Sequence, residues 1–210
     1  MSAEFISIHP DNPQENRLNQ VIEILKKGGI IIYPTDTVYG IGCDLMNQSA
    51  VEKLCRLKKV DPKRMHLSFI CSDLSNLSKY AKDVTTPIFK LMKKTLPGPY
   101  TFILESTTSV PKILGTKKKQ VGIRIPNHKI PVELVKRLGN PLITTSVRHF
   151  DDLVEYYTDP QDIYEDYKNL VDAVIDGGIC GNIPSTVINC IDENFEVYRE
   201  GLGEVKDLLA

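Results

Sequence analysis

Seven residues, Pro34-Thr35-Asp36-Thr37-Val38-Tyr39-Gly40, follow the isoleucine run 30–32 and Tyr33 without a break. Thr35 and Thr37 offer hydroxyls that donate and accept, Asp36 an acceptor, and Tyr39 an aromatic face with a polar tip. Two readings are open. The cluster lines a ligand, as groups at the carboxyl ends of α/β strands do. Or it is a hydrogen-bonded turn in which Asp36 and Thr37 satisfy buried amides. Gly40 and Gly42 allow a ligand or a second backbone to approach closely. A second polar cluster, Thr144, Thr145 and Ser146, ends "LITTS", and a third, Pro184, Ser185 and Thr186, introduces "TVIN". Arg124 in "VGIRIP" and Arg199 in "VYREG" interrupt apolar strand patterns. A strand arginine commonly faces solvent, whereas one facing a cleft grips a carboxylate or phosphate through its fork of donors. Together these groups suggest a cleft for an anionic, hydroxyl-bearing ligand.

The elements that must position them follow from periodicity. Leu18, Val21, Ile22 and Leu25 recur at helical spacing, Lys26 and Lys27 suit the last turn, and Gly28 suits a left-handed stop. "IIIY" reads as a strand apolar on both faces, the kind covered on both sides in α/β layers. Helices are predicted over "SAVEKLCRLKK", "TTPIFKLMKKTLPGP", "IPVELVKRLGNP" and "PQDIYEDYKNL". Strands are predicted over "HLSFICS", "YTFILES", "QVGIRIP", "LITTS", "AVID", "STVIN" and "FEVYRE". Helices and strands interleave at first, then strands crowd together. That order predicts a single α/β (α+β) domain over residues 1–210, with a mixed parallel and antiparallel sheet and helices packed on it.

Several chemistries lack their signatures. The chain has no G-x-x-x-x-G-K-S/T loop, no G-x-G-x-x-G and no G-x-S-x-G elbow, and His9, His66, His128 and His149 show no metal spacing. Five cysteines without a C-x-x-C pair suggest reduced thiols in a cytoplasmic protein. The first ten residues resemble no secretion signal, and no apolar run approaches a membrane span. With a formal net charge of −1, any nucleic acid must be met by a local patch. Such a patch could draw on Arg56, Lys58, Lys59, Lys63 and Arg64, set against Asp61, and on Lys117, Lys118 and Lys119. Residues 151–166 hold seven acids and no Lys or Arg. A charge run is commonly a solvated face, but a basic patch on a neutral chain can also mark an anionic ligand.

"GGIIIYPTDTVYGIGCD" resembles the signature of the YrdC/YciO family, whose best-known members are threonylcarbamoyl-adenylate synthases. "LMKKTLPGPYTFIL" resembles the family's P-G-P-x-T block, "VGIRIPNH" its R-x-P-x-H block, and "TTS" its serine block. "GGICGNIPSTVIN" resembles its S-T-V block and "VYREG" its terminal R-x-G. The resemblance implies one twisted mixed sheet with helices around a large cationic cavity. It implies an enzyme that joins L-threonine, bicarbonate and ATP into threonylcarbamoyl-AMP and releases pyrophosphate, with Mg²⁺ carried by ATP and no metal site of the protein's own. A transfer complex would then move the threonylcarbamoyl group to tRNA, and double-stranded RNA is a further implied partner. By motif position, Thr35, Thr37, Tyr39 and Arg124 would meet threonine and bicarbonate. Lys59, Ser146, Ser185, Thr186 and Arg199 would meet the nucleotide, and Lys59, Arg124 and Ser146 would act in catalysis.

Two blocks depart from the synthase pattern. With Leu67 on the motif leucine, Lys59 takes the first lysine of K-x-R-P…K-P-L, but Asp61 replaces the arginine and Met65 the second lysine. The serine block keeps Ser146, while Arg148 replaces the asparagine of S-A-N. Both departures resemble the YciO-type branch. They leave an alternative open: a nucleotide- or double-stranded-RNA-binding relative with weak or no synthase activity.

Overall fold

The computed structural model describes residues 2–59, 68–108, 120–148, 156–191 and 195–206. Asp61, Lys63, Arg64, Met65, Lys117, Lys118 and Lys119 lie outside these residues, as do Asp151, Asp152 and Glu155. Among the described residues no helix is long and apolar enough to cross a membrane.

Leu18, Val21, Ile22 and Leu25 form the buried stripe of helix α1 (Glu15–Lys26), and Gly28 adopts φ 83° beyond its end. The same logic gives α2 (Gln48–Leu57), capped by the Asn47 side chain, and α4 (Thr86–Thr95), with Pro87 in its first turn. Helix α5 (Lys129–Leu138) ends at left-handed Gly139, and α6 (Pro160–Tyr167) starts on an Asp159 cap. A short α3 (Leu77–Tyr80) completes the helices described. The strands are β1 (Glu4–Ser7), β2 (Ile31–Tyr33), β3 (Gly40–Asp44), β4 (Ser68–Ile70) and β5 (Ala81–Lys82). They continue with β6 (Tyr100–Ser106), β7 (Gln120–Arg124), β8 (Leu142–Ser146), β9 (Ala173–Asp176), β10 (Thr186–Asn189) and β11 (Glu196–Arg199).

All eleven strands join one mixed sheet in the order β1-β9-β2-β3-β8-β4-β7-β6-β10-β11, with β5 on β6. Side-chain alternation divides β2 between two cores. Ile31 and Tyr33 pack with Leu18, Leu25, Ile130 and Leu134 of α1 and α5. Ile30 and Ile32 pack on the other face, with Leu54 of α2, Met92 of α4 and Ile163 of α6. The sheet is therefore covered on both sides, as the apolar strand requires.

The stretch "GIGCD", to which the sequence reading assigned no element, is a buried strand, β3, antiparallel to both β2 and β8. Its glycines admit protein backbone. A Cβ on Gly42 would lie 2.4 Å from the Ile143 carbonyl oxygen, and one on Gly122 would lie 2.7 Å from Ser68 Oγ. Register places Gly42, Thr144, Ser68 and Gly122 in one row across four strands, so small residues line the middle of this face.

Steric overlap fixes the expectation for Gly42→Ala. The added methyl must push β3 from β8, and overpacking of this kind costs about 1–3 kcal/mol. Urea denaturation should show a lower midpoint with an unchanged slope.

Candidate functional site

Strand β7 lies four positions from β2 and, by the pairings between them, runs antiparallel to it. On a flat sheet four strand spacings alone span roughly 19 Å. Arg124, the last residue of β7, nonetheless reaches the elbow after β2. Its Nη2 donates to Asp36 Oδ1 at 2.5 Å and to Thr37 Oγ1 at 2.9 Å, and lies 3.5 Å from Thr35 Oγ1. Curl of the sheet and the turn of the elbow close the gap. Arg124 is thus buried instead of facing solvent.

The elbow is also built from within. Thr35 Oγ1 donates to the Val38 carbonyl at 2.7 Å and accepts from the Thr37 amide at 3.1 Å. So Thr35, and not Asp36, satisfies the buried amide of the turn. Tyr39 directs its hydroxyl away from this group, donating to the Gly178 carbonyl at 2.7 Å. Cys180 Sγ donates to the Thr35 carbonyl at 3.4 Å, and burial pushes its thiol up to about 11. Tyr33 donates to Thr144 Oγ1 at 2.6 Å, and burial raises its phenol well above the ordinary value.

A second arm comes from the starts of β6 and β10. Thr101 Oγ1 and Ser185 Oγ are 2.9 Å apart. Arg199 at the end of β11 grips Ser185: Nε and Nη2 donate to its carbonyl at 3.1 and 2.8 Å, and Nη2 donates to its hydroxyl at 3.3 Å. Phe102 pairs with Ile123, so the next antiparallel position sets Thr101 opposite Arg124 and on the same face. The two arms therefore form one polar line, from Thr35, Asp36 and Thr37 through Arg124 and Thr101 to Ser185 and Arg199. Thr186, the adjacent strand residue, turns elsewhere. Its hydroxyl donates to the Gly203 carbonyl and accepts from the Gly201 amide, which anchors the segment after β11.

Ser146 belongs to a third corner. It pairs with Gly40 in the sheet, and the Val147 amide donates to the Tyr39 carbonyl. The lysine that reaches this corner is Lys58, whose Nζ lies 3.4 Å from the Ser146 carbonyl oxygen. Lys59 is exposed, in a left-handed conformation with φ 51° just past α2. Burial lowers the Lys58 pKa from its ordinary value, and the charge of Arg148 adds to the depression. Arg148 itself is exposed, over the Tyr156 ring, and its carbonyl accepts from the Tyr167 hydroxyl.

Sequence reasoning gave no ligand role to Thr101 and His128, and only a general one to Asp36, as an acceptor in the elbow, and to Lys58, as a member of the basic patch. Thr101 is the threonine of the P-G-P-x-T block and His128 the histidine of R-x-P-x-H, so both carried a signal. His128 caps α5, its Nδ1 accepting from the Ile130 amide at 3.3 Å, and burial lowers its pKa while Asp36 and Asp11 oppose the shift. Among the described residues no group of three His, Cys, Asp or Glu side chains could hold a metal ion, and Asp36 is already engaged by Arg124.

Two outcomes follow from this geometry. Arg124→Met strands the Asp36 carboxylate, and breaking a buried pair from one side costs about 3–5 kcal/mol. The double variant R124M/D36N should recover part of that loss in a denaturation cycle. His128 sets a pH dependence: the unfolded chain takes up a proton near pH 6.5 that the folded imidazole resists. Its contribution to stability is therefore present above that pH and declines as pH falls below it towards the depressed folded value. Thermal melts of His128→Asn, which keeps a capping side chain, should lose this part of the acid-side decline.

The Sua5/YciO/YrdC family profile, described as "Telomere recombination", matches residues 23–201. The uncharacterized protein YciO of Escherichia coli K12 is 41% identical over 209 residues, covering 99% of this chain and all of YciO. Its crystal structure superposes with a TM-score of 0.89, covering 97% of this chain and 98% of that one. The threonylcarbamoyl-AMP synthase of Psychromonas ingrahamii is 31% identical over 172 residues, covering 80% of this chain and 88% of that protein. P. abyssi Sua5, in its complex with L-threonine, shares the fold at 24% identity and a TM-score of 0.84; 94% of this chain covers 57% of that one. By profile, sequence and architecture, this chain belongs to the Sua5/YciO/YrdC family.

Proposed function

We propose that the protein forms threonylcarbamoyl-AMP and pyrophosphate from L-threonine, bicarbonate and ATP, as a step towards tRNA threonylcarbamoyladenosine. The observation that carries this reading is the polar line on one sheet face, with an arginine at each arm: Arg124 on the elbow and Arg199 on Ser185. Relatives that bear the synthase name support it at 31% identity.

In this reading the threonine amine and bicarbonate give a carbamate and water. A carbamate oxygen attacks the α-phosphorus of ATP, and pyrophosphate leaves. No side-chain nucleophile is required; alignment of the reactants and positive charge against the phosphates lower the barrier. ATP enters with Mg²⁺ held by its own phosphates, so few protein ligands are needed. Thr35, Thr37 and Arg124 shape the amino-acid end, and Ser185 and Arg199 hold the phosphate end, while Tyr39, its hydroxyl on Gly178, stands behind the elbow. In this reading Lys58, the half-buried cation beside Ser146, takes the nucleotide role expected of Lys59. The cytoplasm, tRNA and a transfer complex are the setting this chemistry needs.

One observation favours a second reading, a nucleotide binder with little turnover: Asp61 and Met65 replace the arginine and second lysine of the synthase motif. One assay separates the two. With L-threonine, bicarbonate, Mg²⁺ and radiolabelled ATP, the synthase reading expects pyrophosphate and an adenylate of threonylcarbamoyl mass. Arg199→Ala should lower kcat/KM by roughly 10²–10³, the usual effect of deleting one donor to developing charge. ATP binding with pyrophosphate release no faster than a protein-free control would sink the synthase reading and leave the binder. Salt-sensitive affinity for double-stranded RNA would extend the second reading.

A further inference from the structure

The Asp36–Arg124 pair is buried but incomplete. The two side chains keep only 11% and 9% of their surface, with one contact of 2.5 Å between Oδ1 and Nη2. Asp36 Oδ2 and Arg124 Nε are both buried and neither has a hydrogen-bond partner. A carboxylate commonly closes two prongs on a guanidinium; here one is closed, and each partner has an atom to spare. Leaving such atoms unmatched costs free energy comparable to a lost hydrogen bond, more for charged groups.

The neighbours do not fill the gap. Thr35 Oγ1 is committed to Val38 and Thr37, and Thr37 Oγ1 accepts from Arg124. Cys180 Sγ donates to the Thr35 carbonyl, not to Asp36. His128 contributes its Nδ1 to the start of α5. The site therefore presents one unmatched acceptor on an anion beside one unmatched donor on a cation. A plain carboxylate or phosphate answers the donor but meets the Asp36 charge. A ligand with a carboxylate and an amine on one carbon answers both.

Resting on the synthase reading of this site, we propose that Asp36 is its specificity-determining residue. It makes the Arg124 subsite select an α-amino acid, amine to Oδ2 and carboxylate to Nε, over an acid that lacks the amine. Asp36 neutralises Arg124, so the subsite has no net attraction for simple anions, and the amine supplies the discrimination.

The test is calorimetric and needs no turnover. Wild-type protein is titrated with L-threonine and with (R)-3-hydroxybutanoate, the same molecule without its amine. Threonine should bind roughly ten- to a hundred-fold more tightly, the worth of one hydrogen bond to a charged group. In Asp36→Asn the two affinities should converge to within roughly three-fold, by loss for threonine and gain for the plain acid. Asp36→Glu, which retains the charge, should restore the preference, an outcome that a merely structural role would not produce. If D36N does not fold, the wild-type ratio and D36E still decide. Equal affinities in the wild type, binding of neither acid, or a preference unchanged in D36N overturns the proposal; the two spare atoms then simply close on each other. Selective threonine binding without pyrophosphate release removes the synthase reading alone. Release with unchanged D36N selectivity removes this one alone.

Discussion

Arg124 and the elbow hold the functional face together, and much else follows from that contact. A cation on one strand must meet a carboxylate and two hydroxyls that leave another strand four places away. That demands a curled sheet, and curl demands small residues where strands crowd. Gly42 against the Ile143 carbonyl and Gly122 against Ser68 meet that demand. The elbow must also keep a fixed shape before ligand arrives. Thr35 supplies this by bonding within the turn, which frees Asp36 to face Arg124. The elbow's polar groups are thus divided between neighbours: Thr35 builds the turn and Asp36 meets the cation.

The same division recurs on β10. Ser185 faces Thr101 and Arg199, while Thr186 binds the segment at Gly201 and Gly203. Successive strand residues point to opposite sides, so a Ser-Thr pair cannot serve one ligand equally. Thr186 still matters to the site, because it tethers the chain just after Arg199. At the end of α2 a comparable split separates Lys58, half-buried beside Ser146, from exposed Lys59. The left-handed turn at Lys59 ends the helix and parts the two side chains. In each case one residue of a pair reaches the site, and backbone geometry chooses which.

What the sequence made legible was local. The isoleucine run declared a strand buried on both faces, and Leu18, Val21, Ile22 and Leu25 declared a helix face. Strand β3 escaped because two of its five residues are glycines, which lower strand propensity yet are needed for close backbone approach. Strand β1 escaped because it is a four-residue edge with a single buried side chain, Ile6. The blocks around Arg124, Ser146, Ser185 and Arg199 were visible as motifs. Their partnerships were not, since Asp36 and Arg124 lie 88 residues apart and only the sheet order joins them. Asp36 looked like a turn acceptor because nothing near it in the chain carries the complementary charge.

The groups that could have supplied covalent chemistry are muted by the fold that builds the site. Burial raises the Cys180 thiol to about 11 and raises the Tyr39 phenol further, so neither is an anionic nucleophile near neutral pH. His128 is held towards its neutral form, and its Nδ1 is committed to the cap of α5. What remains available is charge at fixed positions: Arg124 with its counter-ion, Arg199 on Ser185, and Lys58 beside Ser146. Such a set can orient reactants and stabilise phosphate charge, and its two arginines cannot themselves attack. A reaction whose nucleophile is made from the substrates, as a carbamate is, matches this inventory better than any that needs a nucleophile from the protein. The burial that holds Arg124 on the elbow is thus the same burial that silences its neighbours, and the proposed transfer between bound substrates asks for both.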